Sequence, residues 1–260
     1  MDINLNVLVI NLKSSSERRA RISKQLDNLD ISYDFLEATE GKVLTDKWIE
    51  SNIGDRFKKI YYENIHYSVN KNALACADSH RRAQIIASKF EGGYTLILED
   101  DVELSRGFEK KVKRTVELME SHSLHLSFLG YNWSKGKFEK RKDIKDYSSN
   151  FAFFKYPLDG HVSGAFAYLV DAVGARKLVQ NNLEKIQDTA DTFYVNEKGL
   201  NESAVVLYPK IVTTGYLASD IGYIKTGSNN FNNVKNFIIS VSMRSKITRL
   251  ALLLWKERRL

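Results

Sequence analysis

The chain has 260 residues, enough for one large hydrophobic core or two modest ones, and its 43% hydrophobic and 27% charged content excludes wholesale disorder. A single cysteine, Cys76, excludes an internal disulfide framework and suits a reducing compartment. The net charge of +7 sits at one end: from Lys235 onward seven basic residues face one acid, Glu257, which leaves residues 1–234 near neutral.

The opening MDINLNVLVINL lacks the basic n-region and cleavage site of a signal peptide, and no apolar run reaches the roughly 18 residues of a spanning helix, so an intracellular protein is expected. LNVLVINL (Leu5 to Leu12) reads as a buried parallel strand. A helix follows in KSSSERRARISKQLDNLD, with Ile22, Leu26 and Leu29 at i, i+4, i+7 spacing. ISYDFLEATEG predicts a second strand ending at Gly41, which completes a βαβ unit. Residues 42–72 read as short helices and loops. Ala73 to Phe90 predicts a helix whose small residues permit close packing, and Cys76 within it reads as a small core residue rather than a nucleophile.

Thr95 to Leu98 form a short interior strand that runs straight into Glu99, Asp100 and Asp101, with Glu103 just beyond. Like charges crowded at a strand end repel one another, and a divalent cation offsets that. Hard oxygen ligands suit Mn²⁺ or Mg²⁺. Solvated acids favouring the next helix N-terminus explain the same residues equally well. That helix, FEKKVKRTVELMES, has Ser105 as its expected cap. HLSFLGYNW predicts another strand, and 134–150 an exposed, mobile loop. GHVSGAFAYLVDAVGARKLVQNN combines a strand with a helix, and ESAVVLYPKIVTT adds a further strand. No repeat or linker appears, so residues 1–234 are expected to form one domain and 235–260 an appendage.

VLVINLKSSSERR, ALACADSHRRA and YTLILEDDV together resemble the landmarks of glycosyltransferase family 25, the bacterial lipooligosaccharide galactosyltransferases and their relatives. The matching residues are Ile10, Asn11, Leu12, Cys76, Ser79, His80, Glu99, Asp100 and Asp101, and the likeness runs from about Val7 to Thr192. ALACADSH replaces the Gly-rich lead-in of the family, and HVSGAFAYLVDAVGARKL matches it loosely. The resemblance implies an α/β fold of the GT-A kind. That is a single nucleotide-sugar-binding domain with a central, mostly parallel sheet, followed here by a C-terminal amphipathic helix. It also implies a UDP-sugar donor and Mn²⁺ or Mg²⁺, with Asp101 touching the metal, Asp100 as a second ligand, and Glu99 or Asp100 meeting the donor.

Arg18 and Arg19 stand where the nucleotide is expected, either on phosphate or as a solvated helix face. By their position at the strand ends, Asn11, Leu12, Ala38 and Glu40 are expected to line the uridine pocket. Ser79 and His80 join the donor site by the same likeness, although a lone histidine in a small-residue helix is commonly a packed one. His161 is a weaker candidate for metal or acceptor. An inverting transfer needs a base for the acceptor hydroxyl. Asp191 is the first choice and Asp188 the second, and both serve equally as caps of a helix starting near Thr189.

Between Ser242 and Leu260, Ile247, Leu250, Ala251, Leu254 and Trp255 share one helical face, with Lys246, Arg249 and Lys256 largely opposite. A basic amphipathic helix with a tryptophan predicts attachment to an anionic membrane surface, and a helix packed on the body fits the pattern too. The expected protein is a cytoplasmic, peripheral hexosyltransferase, most simply a galactosyltransferase acting on a lipid-linked oligosaccharide at the inner face of the membrane. A non-catalytic nucleotide-sugar or lipid-binding module and a metal-dependent phosphodiesterase are the alternatives. Nucleic acid is not an expected partner, because the basic residues are confined to a greasy tail.

Overall fold

The computed structural model describes residues 3–63, 70–135, 138–144, 152–157, 161–180, 183–187, 189–190 and 199–215. All belong to one compact unit, Met1–Gly222. The amphipathic tail, Asp188 and Asp191 lie outside the described residues.

The chain opens with β1 (Leu5–Asn11), α1 (Ser16–Asp27) and β2 (Asp34–Glu37). A single 3₁₀ turn (Gly41–Val43) and two short helices, α2 (Asp46–Asn52) and α3 (Asp55–Glu63), lead to α4 (Lys71–Ala87). Then come β3 (Tyr94–Glu99), β4 (Val102–Leu104), α5 (Phe108–Ser121), β5 (Leu126–Gly130) and β6 (Trp133–Lys135). The described remainder is β7 (Ala152–Lys155), β8 (His161–Ser163), β9 (Ala167–Asp171), α6 (Ala172–Val179), β10 (Ala204–Tyr208) and β11 (Val212–Thr214).

Seven strands form the main sheet in the order β2-β1-β3-β9-β5-β10-β7. β1 pairs in parallel with both β2 and β3, and β10 with β5. β9 is antiparallel to β3 and β5, and β7 to β10. The sheet is therefore mixed and only partly parallel, which corrects the expected mostly parallel one. Helix α6 starts directly after β9, at the end of β9 opposite the carboxyl end of β3, so no crossover returns the chain in parallel.

Side-chain alternation along the strands sorts the core into two layers. Val7, Val9, Leu96 and Leu98 pack with Ile22 and Leu26 of α1 and Val112, Val116 and Met119 of α5. Leu8, Ile10 and Ile97 pack on the other face with Ala83 and Ala87 of α4 and Ala175 and Leu178 of α6. A smaller cluster ties Ile49, Ile53 and Phe57 to Leu74 of α4.

Local chemistry explains where elements begin. Asn70 caps α4, its side-chain oxygen accepting from Ala73 N at 3.0 Å. Gly41 is required by close approach, since a Cβ there would sit 2.7 Å from the backbone nitrogen of Asn72. Ser105 is not the cap of α5. Gly107, at φ +70°, turns the chain into the helix two residues later. Within the expected loop at 134–150, Ser134 and Lys135 of β6 pair with β8, and Lys140 bridges to Phe154.

Candidate functional site

β1 runs to β2 through α1 on one side, while β3 lies against the other edge of β1, so the chain diverges between β1 and β3. Ligands of open α/β sheets bind at the carboxyl ends of strands at such a point. A cavity of about 370 Å³ opens there, lined in part by Leu12, Arg18, Ala38, Glu40, Ser79, His80 and the three acids Glu99, Asp100 and Asp101.

Register brings the acids to different supports. Ile10 pairs with Glu99, so Asn11 stands beside Asp100. The Asn11 side-chain nitrogen donates to Asp100 Oδ2 at 2.7 Å, and its oxygen accepts from Arg19 at 3.4 Å. Arg18 donates to Asp100 Oδ1 at 3.5 Å. Glu99 shares the α4 face with Ile97 and meets His80, whose Nε2 lies 3.1 Å from Glu99 Oε1. Behind His80, Tyr168 of β9 places its hydroxyl 3.3 Å from Nδ1 and accepts from Gln84 Nε2 at 3.2 Å. With the Glu99 carboxylate oxygen as acceptor, Nε2 carries the ring proton, and Nδ1 of the neutral ring accepts from the Tyr168 hydroxyl. His80 and Tyr168 are buried, their rings stacked with centroids 6.0 Å apart.

Asp101 differs from both neighbours. Its Oδ1 is buried and accepts no hydrogen bond among the described residues. Burial, then the charge of Glu99, push its carboxyl up to about 6 against the pull of Arg18. Burial also raises Asp100, opposed by Asn11 and Arg18. A buried carboxylate oxygen left without a donor is costly, and a cation is the partner that suits it.

The remaining predicted residues fall as follows. Arg19 is not part of the cavity wall; its guanidinium carbon stands 3.6 Å above the Phe35 ring while it supports Asn11. The Ser79 hydroxyl accepts from Thr39 N at 2.9 Å and donates to Ala75 O at 2.7 Å, clamping the loop after β2 to α4. Glu40 sits at the rim, its pKa lowered by bonds from Lys42 and then Ser14. Cys76, Lys42 and Asn72 line the cavity although none was a predicted site residue. Cys76 precedes His80 by one helical turn, a signal present in the sequence. The side-chain ligand atoms of Cys76, His80 and Glu99 all lie within 4.8 Å of one another, so this trio can hold a metal ion.

These features place the molecule among α/β proteins with an acid-lined ligand cavity at a topological switch point. The chain belongs to glycosyltransferase family 25, since the sequence profile described as Glycosyltransferase family 25 (LPS biosynthesis protein) matches residues 4–194. It is 26% identical over 178 residues to "Putative glycosyltransferase R655" of Acanthamoeba polyphaga mimivirus, covering 68% of this chain and 52% of that protein. A "Glycosyltransferase 25 family member" of Aedes aegypti is 24% identical over 255 residues, 89% of this chain and 40% of its own. "Procollagen galactosyltransferase 1-A" of Xenopus laevis is 22% identical over 174 residues, 66% and 28% of the two chains. The chain thus spans about half or less of the length of these relatives. No described helix is long and apolar enough to cross a membrane.

Proposed function

We propose that this chain is an inverting, metal-dependent glycosyltransferase that moves a hexose, galactose from UDP-galactose as first choice, onto a lipooligosaccharide or related glycan. The observation that carries this reading is the Asp101 carboxyl group at the cavity, whose buried Oδ1 has no hydrogen-bond partner among the described residues. The family description and the name of the Xenopus relative support the sugar and the acceptor class.

The residues present fit a hard divalent ion. Asp101 would hold Mn²⁺ or Mg²⁺ with Asp100 as second ligand, and the bound ion would neutralise the departing diphosphate. Arg18 pairs with donor phosphate from the cavity wall. Asn11, Leu12, Ala38 and Glu40 enclose the nucleoside end, and a volume of about 370 Å³ lies within the range of small-molecule sites. Asp191, with Asp188 as the substitute, takes the proton of the acceptor hydroxyl. The hydroxyl oxygen attacks the anomeric carbon from the face opposite the diphosphate, and the electrons of the broken bond leave with UDP. The GT-A architecture and a tail at 235–260 that attaches to anionic lipid complete the proposal.

A panel of UDP-sugars in Mn²⁺, read by thermal stabilisation and by sugar transfer, tests it. UDP-galactose is expected to stabilise the protein most and to be consumed only with a glycan acceptor. Nucleotide release from many donors without acceptor would identify a phosphodiesterase instead. Stabilisation with no turnover on any acceptor would identify a binding module.

A further inference from the structure

We propose that Cys76, His80 and Glu99 form a second cation site at the cavity, one selective for a soft or borderline ion of the zinc class. Helix α4 presents Cys76 and His80 one turn apart on the face turned to the cavity, and β3 delivers Glu99 to the same point. Their ligand atoms lie within 4.8 Å of one another. Bond lengths of roughly 2.0–2.3 Å place ligand atoms on one tetrahedral zinc roughly 3.3–3.8 Å apart. Closure by about an ångström of side-chain rotation therefore completes the set. Thiolate, imidazole and carboxylate together suit Zn²⁺ or Co²⁺ and do not suit Mg²⁺. The oxygen-only position at Asp101 is the reverse case, so the two positions differ in the ion they select although only a few residues separate them.

The shell behind His80 supports the assignment. A metal-bound histidine holds its other ring nitrogen on an oxygen partner. Tyr168 already supplies that oxygen 3.3 Å from Nδ1, with Gln84 behind it. On binding, the Nε2 proton passes to water and Nδ1 takes one up, so the ring stays neutral while the Nε2 lone pair turns to the ion. The Tyr168 hydroxyl, which accepts as well as donates, turns to receive it, and the Gln84 amide flips to follow. The thiol proton of Cys76 is released to water, so one proton leaves per ion bound. The fourth coordination position faces the cavity, open to water or to an anionic ligand. An ion there draws Glu99 away from its place beside Asp100 and Asp101. On the transfer reading, zinc then opposes Mn²⁺-supported donor binding.

The whole chain titrated with Co²⁺ decides the matter, read by thiolate-to-cobalt charge-transfer absorption. The chain has one cysteine, so any such band reports Cys76. A 1:1 band that Zn²⁺ displaces is expected, absent in Cys76→Ser and about 10- to 100-fold weaker in affinity in Tyr168→Phe. His80→Gln and Glu99→Gln should weaken it as well. Asp101→Asn should keep the band, a result that does not depend on whether the chain transfers sugar. No thiolate band in the wild-type protein overturns the site. So does a band whose affinity is the same in wild type, His80→Gln and Glu99→Gln, each checked for folding by circular dichroism.

Discussion

Two histidine–carboxylate pairs sit at opposite ends of the same sheet and differ in their surroundings. At one end His125 Nδ1 lies 2.7 Å from Asp171 Oδ2, while Asp171 Oδ1 accepts from Gly174 N at 2.7 Å and caps α6. Asp171 is register-paired with Tyr94, the first residue of β3, and Glu99 is the last residue of that strand. At the Glu99 end the histidine is more deeply buried, yet the acid beside it adjoins two more acids and a cavity. The first pair is closed, with each carboxylate oxygen engaged. The second belongs to a cluster in which Asp101 Oδ1 has no partner among the described residues. A structural pair satisfies itself, and a pair in a ligand site stands beside a deficit that only a ligand removes.

The largest expected effect comes from removing that deficit. On the proposed reading, Asp101→Asn should lower transfer by roughly 100-fold or more, since the charge assigned to the cation is lost. The same change should stabilise the ion-free protein. Burial lifts the folded carboxyl from 3.8 to about 6, so between those values the folded chain binds more protons than the unfolded one. Its stability therefore falls as pH rises through that window, and the amide escapes the fall. Above pH 6 without metal, Asp101→Asn should be the more stable form by on the order of 2 kcal/mol, with no difference below the ordinary carboxylate range. Denaturant titrations at several pH values measure this. A less stable variant at neutral pH would mean that Asp101 is satisfied by the protein itself.

Tyr168→Phe sharpens the contrast from the supporting side. The hydroxyl serves two buried groups, His80 Nδ1 and Gln84 Nε2, and its loss should cost about 1–3 kcal/mol of stability. Transfer should drop about 10-fold, because His80 no longer holds its Nε2 proton toward Glu99. Stability lost with kcat/KM unchanged would show that this chain of bonds serves packing alone.

How much of this was legible in the sequence varies with the range of the forces involved. β1 and β3 announce themselves as continuous apolar runs, and the acids at the end of β3 mark the cavity mouth because three adjacent carboxylates are costly without a partner. Cys76 and His80 are one turn apart and so lie on one helix face, but Cys76 read as packing and His80 entered the donor site only through the family likeness. Nothing local shows that Glu99 meets them. The hydrogen-bond chain through Tyr168 was hidden for the same reason: β9 enters antiparallel between β3 and β5, a pairing fixed by tertiary contacts rather than by any pattern in FAYLVD. Lys42 and Asn72 reach the wall from a stretch without periodicity, docked through the close contact at Gly41. Arg19 looked like a phosphate ligand by charge and position, and only the Phe35 ring beneath it explains its turn toward Asn11.

The smallest expected effect on transfer lies at the closed pair, and it tests the comparison itself. Asp171→Ala removes the α6 cap and the His125 partner together, for a stability loss of about 1–2 kcal/mol. Asp171→Asn keeps an oxygen for Gly174 N and should recover part of that loss. Neither change touches the cavity, since Asp171 sits at the far end of β3 from Glu99. At a temperature where both variants remain folded, kcat/KM should equal the wild-type value, whereas Glu99→Gln should depress it. Equal losses from Asp171→Ala and Glu99→Gln, at matched folded fractions, would mean that the open and closed pairs act through the sheet as one unit.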